Sequence, residues 1–312
     1  MSESVDTVLV EQLKKLQAKY DAMGQDLSSY LDGLLYADYL TYWDYIHLDT
    51  LLSLQNPKTH FPDEKIFILY HQITELYFQL ILHELEQITT QAAPTLTFFS
   101  DRLDRVIRYF RHLEDSFDVM VKGMEREQFL KFRMALLPAS GFQSAQYRLI
   151  EIYCTDMIQL VNQIDRPLVQ QADIQSMLDK LYWRSGATEL ATGKKTLTLQ
   201  QFEKKYMKLF FEKGEALKTT NIRQLYSRHF ASNASQELKE KLRTLDTYAN
   251  VLWPLAHLKS ASHYLHKDPE DIKATGGTNW QKYLPPRFQK IIFFPELWSQ
   301  QEQAEWGKQA FR

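Results

Sequence analysis

Residues 63–87, DEKIFILYHQITELYFQLILHELEQ, decide the fold. The stretch opens with Asp63 and Glu64, acids suited to the first turn of a helix, where they meet the positive end of the dipole. No Gly or Pro interrupts it until Pro94. Its apolar residues fall on two stripes. Ile66, Leu69, Tyr70, Ile73, Leu76, Tyr77, Leu80 and Ile81 form a broad one, which reads as ordinary core. Phe67, His71, Phe78 and Leu82 form a second at helical spacing. A helix that is apolar on two faces is buried rather than laid on a surface. At about 1.5 Å per residue it spans roughly 37 Å, enough to run through a domain core. His71 on the second stripe then needs a partner.

The surrounding composition agrees with a helical protein. The chain has 312 residues with only ten Gly and ten Pro, and 13% aromatics; sparse breakers among long side chains favour long helices. A net charge of -2 gives no reason to expect nucleic acid or an anionic membrane surface. No apolar run approaches the ~18 residues of a membrane span. The opening MSESVDTVLVEQ lacks the basic-then-apolar layout of a signal peptide, and the single Cys154 rules out an intrachain disulfide framework and CxxC metal sites. A cytoplasmic protein is expected.

Outward from the central stretch, apolar spacing predicts helices over 5–23 and 26–36, and from about Tyr42 to the Asn56-Pro57 stop. Beyond Pro94, Ser100-Asp101 is expected to cap a helix over 102–123. A shorter helix should cover 125–137. Ser140 and Gln143 form an S-x-x-Q box, predicting a helix from Gly141 to about 163. Residues 168–183 are moderately helical, 184–197 read as an exposed loop, and 198–218 and 234–266 as helices. Residues 267–285 hold Pro269, Gly276, Gly277 and Pro285 and read as loop; IIFFPELW then closes the core. The expected architecture is all-α: a single helical domain over 1–312, with 165–230 a helical insertion.

Four positions stand out chemically. His71 has two readings, a core histidine bonded to a neighbouring carbonyl, or a group lining a cavity. Arg133 sits among Phe129, Phe132, Leu136 and Leu137, where an arginine either snorkels or grips a carboxylate bidentately. His257 shares a helical face with Trp253; an imidazole walled by apolar groups suits either ordinary packing or a haem iron. The Gly-rich ATGGT, 274–278, is either a flexible turn or an anion-closing loop. The helical di-iron class needs paired E-x-x-H motifs, and the chain has none.

Taken together, four blocks resemble the tryptophan 2,3-dioxygenase family. They are DYIHLDTLLSLQNP (44–57), DEKIFILYHQITELYFQLILHEL (63–85), FRMALLPASGFQSAQYRLIE (132–151), and LWPLAH (252–257) with ATGGT (274–278). They occur in the family's order across roughly residues 40–300. The resemblance implies an all-α homotetramer with long core helices enclosing haem b. It implies insertion of O2 across the indole C2–C3 bond of L-tryptophan, giving N-formylkynurenine. By the same resemblance, His257 is the proximal iron ligand and His71 the distal histidine that accepts the indole N–H. Phe67 packs on the indole and with Phe129 forms an apolar wall that excludes water, Arg133 pairs with the substrate carboxylate, and Thr275 closes over the amino-acid end. Tyr42 and Tyr45 reach a neighbouring subunit's pocket.

The sequence departs from the family pattern in several places, Pro254 and Asn279-Trp280 among them. Pro254 stands where an Arg is usual after the Trp of the ligand motif, and Asn279-Trp280 replace small residues after the Gly-rich loop. Two rivals stay open: a haem enzyme acting on another indole derivative or mono-oxygenating it, and a non-catalytic haem- or indole-binding homologue.

Overall fold

The computed structural model describes residues 7–37, 40–136, 141–188, 194–266 and 284–308. Among these, 74% helix and two isolated bridges, Val161 with Leu181 and Thr188 with Lys195, make an all-α fold without a sheet. No helix among the described residues is long and apolar enough to cross a membrane. The chain forms two compact units, Met1–Gln55 and Asn56–Arg312.

The first unit holds α1 (Thr7–Ala22), α2 (Leu27–Leu35), α3 (Tyr42–Tyr45) and α4 (Leu48–Leu52). Gly24, at φ +66°, makes the turn that folds α2 back on α1, and the Asp26 carboxylate caps α2 by accepting from Ser28 and Ser29 N–H, both at 3.1 Å. Tyr20 and Tyr30 meet edge to face at 4.8 Å across this hairpin.

The second unit is built on α5 (Asp63–Thr89), the helix expected from residues 63–87. It is followed by α6 (Leu96–Ser116), α7 (Asp118–Lys122), α8 (Arg126–Phe132) and α9 (Ala145–Cys154). Four short helices, α10 (Met157–Leu160), α11 (Arg166–Val169), α12 (Ile174–Leu178) and α13 (Tyr182–Gly186), lead to α14 (Leu197–Leu217) and α15 (Ile222–His229). Next come α16 (Gln236–Thr247) and α17 (Trp253–Leu265), and two short helices, Pro286–Gln289 and Gln300–Ala304, follow them. α5 packs between α6 and α9, while α6 also carries α16 and α17. α14 lies on α9, and its Leu199, Phe202 and Phe210 join the same core as Phe78 and Ile81 of α5.

Of the boundaries that differ from the sequence reading, three have a clear local cause. α6 begins at Leu96, not 102, because Thr95 lies in the extended region after Pro94 and its hydroxyl accepts from Phe98 N–H at 3.2 Å. Ser100 is therefore inside the helix and takes a bond from the Lys241 ammonium at 2.7 Å. α9 starts after Ser144, whose hydroxyl accepts from Tyr147 N–H at 3.2 Å; Ser140 of the expected box lies outside the described residues. α9 stops at Cys154 rather than near 163, because Thr155 turns extended and donates to the Phe293 carbonyl at 2.6 Å. The broad stripe of α5 is not all core either. Ile73, Leu76 and Leu80 are 44%, 53% and 45% exposed, whereas Tyr70 and Ile81 are buried.

The acids at the start of α5 act as clasps for neighbouring chain. Glu64 accepts from the N–H groups of Lys58 and Thr59 at 2.7 and 2.8 Å, pinning the incoming loop. Asp63 accepts from Glu125 N–H at 2.6 Å, which caps α8 and fixes that helix against the first turn of α5.

Candidate active site

α5, α8 and α17 bring most of the singled-out residues of the second unit together. Phe67 and His71 are one turn apart on α5, their rings 4.1 Å apart. Phe67 lies 6.3 Å from Phe129 and 5.8 Å from Phe132, both on α8. Phe129 in turn sits 4.5 Å from Tyr264 of α17. On the same helix the His257 ring packs 4.5 Å from Trp253 and 4.6 Å from Phe117. Phe117 meets Tyr70, the residue before His71, at 5.7 Å. Two aromatic clusters thus surround the histidines, one of Phe67, Phe129, Phe132 and Tyr264 beside His71 and one of Trp253, Phe117 and Tyr70 beside His257, and the backbone step from Tyr70 to His71 on α5 joins them. Each aromatic pair adds about 0.5–1.5 kcal/mol beyond its area burial and holds ring orientation.

Both imidazoles are built alike. His71 Nδ1 is 2.7 Å from the Phe67 carbonyl, and His257 Nδ1 is 2.9 Å from the Trp253 carbonyl. A carbonyl only accepts, so Nδ1 carries the proton in each ring and Nε2 keeps its lone pair. Their surroundings lower both pKa values. Burial drives the His257 value down to about 4, against the pull of the Trp253 carbonyl, and the charges of His71 and Arg148 add to the lowering. For His71 burial again dominates, while the Phe67 carbonyl and Glu75 oppose it. By its surface area His71 is an exposed residue of α5. Both rings are therefore neutral at pH 7, the form that can ligate a metal or accept a hydrogen bond.

The backbone before His257 explains its setting. Residues Tyr248–Leu252 form a π turn, and Trp253 N–H reaches back to the Tyr248 carbonyl. Continued in that register, the next donor would be residue 254 bonding Ala249. That residue is Pro254, which has no N–H. The buried Tyr147 hydroxyl takes the vacant role and donates to the Ala249 carbonyl at 2.7 Å. Beside Tyr147, the Arg148 guanidinium donates to Glu151 at 2.9 Å and to the Tyr182 hydroxyl at 2.7 Å in a buried cluster. Below the π turn, Asp246 is fully buried and accepts four N–H bonds, from Asn250, Phe293, Phe294 and Trp298 at 2.8–3.1 Å. Burial raises its carboxyl to about 6 while these donors pull the other way.

Arg133 follows Phe132 in the short 3-10 turn Arg133–Leu136 and is only 5% exposed; burial lowers its guanidinium pKa. A buried guanidinium with a planar fork of donors is suited to a carboxylate. Tyr42 and Tyr45 belong to the first unit and are 72% and 74% exposed. Thr275, with the whole 274–278 loop and Trp280, lies outside the described residues.

The donor set bears on which metal group fits. Among the described residues no group of three His, Cys, Asp or Glu is placed to hold an ion, as a non-haem centre requires. One neutral imidazole with Nε2 open, walled by Phe117 and Trp253, matches what a haem iron takes from a protein.

The family model described as tryptophan 2,3-dioxygenase matches residues 33–272. The chain belongs to the tryptophan 2,3-dioxygenase family. It is 32% identical over 270 residues to the tryptophan 2,3-dioxygenase of Ruegeria sp. (strain TM1040), covering 85% of this chain and 92% of that protein. The Herpetosiphon aurantiacus protein of the same name is 30% identical over 272 residues, with 83% and 96% covered. A shorter match to that of Sorangium cellulosum reaches 40% over 124 residues, 36% of this chain and 30% of that protein. This family member is accordingly an enzyme of the dioxygenase class.

Sequence reasoning singled out His71, Phe67, Phe129, Arg133, His257 and Trp253. It missed Tyr147, Glu75 and Gln146, although all three fall in the blocks that carry the resemblance. The available signal was a polar residue in an otherwise apolar helical run, together with a proline at 254 that leaves an acceptor in need of a donor.

Proposed function

We propose that this enzyme is a haem-dependent dioxygenase that opens the indole C2–C3 bond of L-tryptophan with O2 to give N-formylkynurenine. The observation that carries the reading is the pair of imidazoles on α5 and α17. Each has Nδ1 tied to its own helix and Nε2 open, and each is packed against aromatic rings. His257 would hold the iron through Nε2. Haem b, when bound, supplies the iron that activates O2. His71 Nε2 accepts the indole N–H, and Phe67 and Phe129 pack on the ring and exclude water. Arg133 pairs with the substrate carboxylate in low dielectric, where a charge-assisted bond is strong. Thr275 closes over the amino-acid end. Being neutral, His71 can accept that N–H without losing a proton first.

The working assembly in this reading is a cytoplasmic homotetramer, in which Tyr42 and Tyr45 complete a neighbouring copy's pocket. The exposed stripe of Ile73, Leu76 and Leu80 on α5 and the two exposed tyrosines support it, since large apolar groups left on a surface call for a covering partner. Ferrous protein loaded with haem, given L-tryptophan and O2, should produce N-formylkynurenine, read by its near-ultraviolet absorbance. A Soret band without product would point instead to another indole substrate or to a binding homologue. His257→Ala should abolish the Soret band and His71→Ala should keep it; the reverse would overturn both assignments.

A further inference from the structure

Glu75 lies one helical turn beyond His71 on α5, so the two side chains share a face. An exposed acid there would wave in solvent. This one is half-buried, and its carboxylate accepts from Gln146 Nε2 at 2.8 Å. The same nitrogen donates to the Glu75 main-chain carbonyl at 2.9 Å. Gln146 comes from the first turn of α9, which Ser144 caps, so a rigid element delivers the donor. Gln146 is neutral, so the two bonds fix the carboxylate without cancelling its charge. The other titratable group acting across this space is His257 on α17, with Arg133 the buried cation of the neighbouring wall.

We infer that Glu75, clamped by Gln146, is a positioning residue for His71, strengthening Nε2 as the acceptor for the indole N–H. The inference rests on the reading of His71 as that acceptor. A fixed negative charge behind an imidazole favours positive charge on the ring, and so favours the approach of a donor at the open nitrogen. Its counterpart is the Phe67 carbonyl, which fixes the tautomer. Together they leave His71 one proton position and one direction of basicity. Selectivity follows: the site rewards an indole that brings an N–H over one that has lost it, because the acceptor would otherwise be left unpaired.

Glu75→Gln keeps the size and the bond to Gln146 but removes the charge; Gln146→Met removes the clamp. Each holoenzyme is tested for equilibrium binding of L-tryptophan and of 1-methyl-L-tryptophan, which has no ring N–H, and for the split between KM and kcat. Glu75→Gln should weaken L-tryptophan binding about three- to tenfold, with the loss falling on KM rather than kcat. Its affinity for the N-methyl compound should stay put. Gln146→Met should move the same way by less. Equal losses for both ligands, or none for L-tryptophan, overturn the inference. His71→Ala tells the two levels apart. If it too treats both ligands alike, the acceptor reading itself is wrong; if it discriminates and Glu75→Gln does not, only the role of Glu75 falls. Should Glu75→Gln not fold, the Gln146→Met comparison decides by the same criterion.

Discussion

Tyr147→Phe isolates one hydrogen bond on which the π turn before His257 depends. The substitution leaves the ring, its 5.4 Å packing on Phe78 and its 4.8 Å contact with the Arg148 guanidinium in place. It deletes only the hydroxyl that donates to the Ala249 carbonyl at 2.7 Å. Both groups are buried, and Pro254 has no N–H to offer in its place. Leaving a buried acceptor unmet costs about 1–3 kcal/mol. A loss near 2 kcal/mol would lower the melting temperature by about 4–8 °C for a unit of this size. The decisive assay is a double-mutant cycle in urea with Pro254→Ala, which restores an N–H at the position facing Ala249. In that background Tyr147→Phe should cost about 1 kcal/mol less. The same cost in both backgrounds, or a cost below about 0.3 kcal/mol in the parent, would refute the account of the π turn.

Three further outcomes are expected. Arg133→Ala should raise KM for L-tryptophan about 10- to 100-fold and barely affect carboxylate-free indoles, from loss of a charge-assisted pair; equal effects on both would remove the clamp role. In haem-free protein, His257 titrates at about 4 when folded against an ordinary 6.5, so the unfolded chain takes up the proton first as pH falls. Its contribution is full above about 6.5 and is lost down to about 4, on the order of 3 kcal/mol, and His257→Phe should flatten the urea midpoint over that window. An unchanged slope would contradict the burial of that ring. Asp63→Ala removes the acceptor that caps α8 and should cost about 1 kcal/mol in thermal unfolding; no loss would mean that the clasp between α5 and α8 is not holding.

How far the sequence reached depended on the range of the interactions involved. The helices of the second unit were legible because an apolar period is local, and 63–87 emerged as α5 with only its end extended to Thr89. Boundaries failed where two local signals competed: Thr95 after Pro94 outranked Ser100-Asp101 as a cap. The end of α9 failed because a distant carbonyl, Phe293, claims Thr155. Ile73, Leu76 and Leu80 read as core because apolar spacing alone does not tell a buried helix face from an exposed one. Within the site, His71, Arg133 and His257 were legible as polar groups in apolar helices. Gln146 was not, because its partner Glu75 lies 71 residues away, and neither residue type announces the other.

The two histidines share one local motif. Each donates Nδ1–H to the carbonyl four residues back, so each presents a neutral ring with Nε2 forward. The difference lies in what stands behind the ring. One turn beyond His71 on a regular helix is Glu75, held by Gln146, the carboxylate that we infer strengthens Nε2 toward a hydrogen-bond donor. Behind His257 is a π turn and a proline, with Arg148 near enough to lower its basicity toward protons. A ring that resists protonation keeps its lone pair for a metal at pH values where an ordinary histidine would begin to lose it. The helix that carries it has given up a regular hydrogen bond, and the Tyr147 hydroxyl restores it. Pro254 is therefore accommodated by the fold, and the neutral His257 ring beside it keeps its Nε2 open.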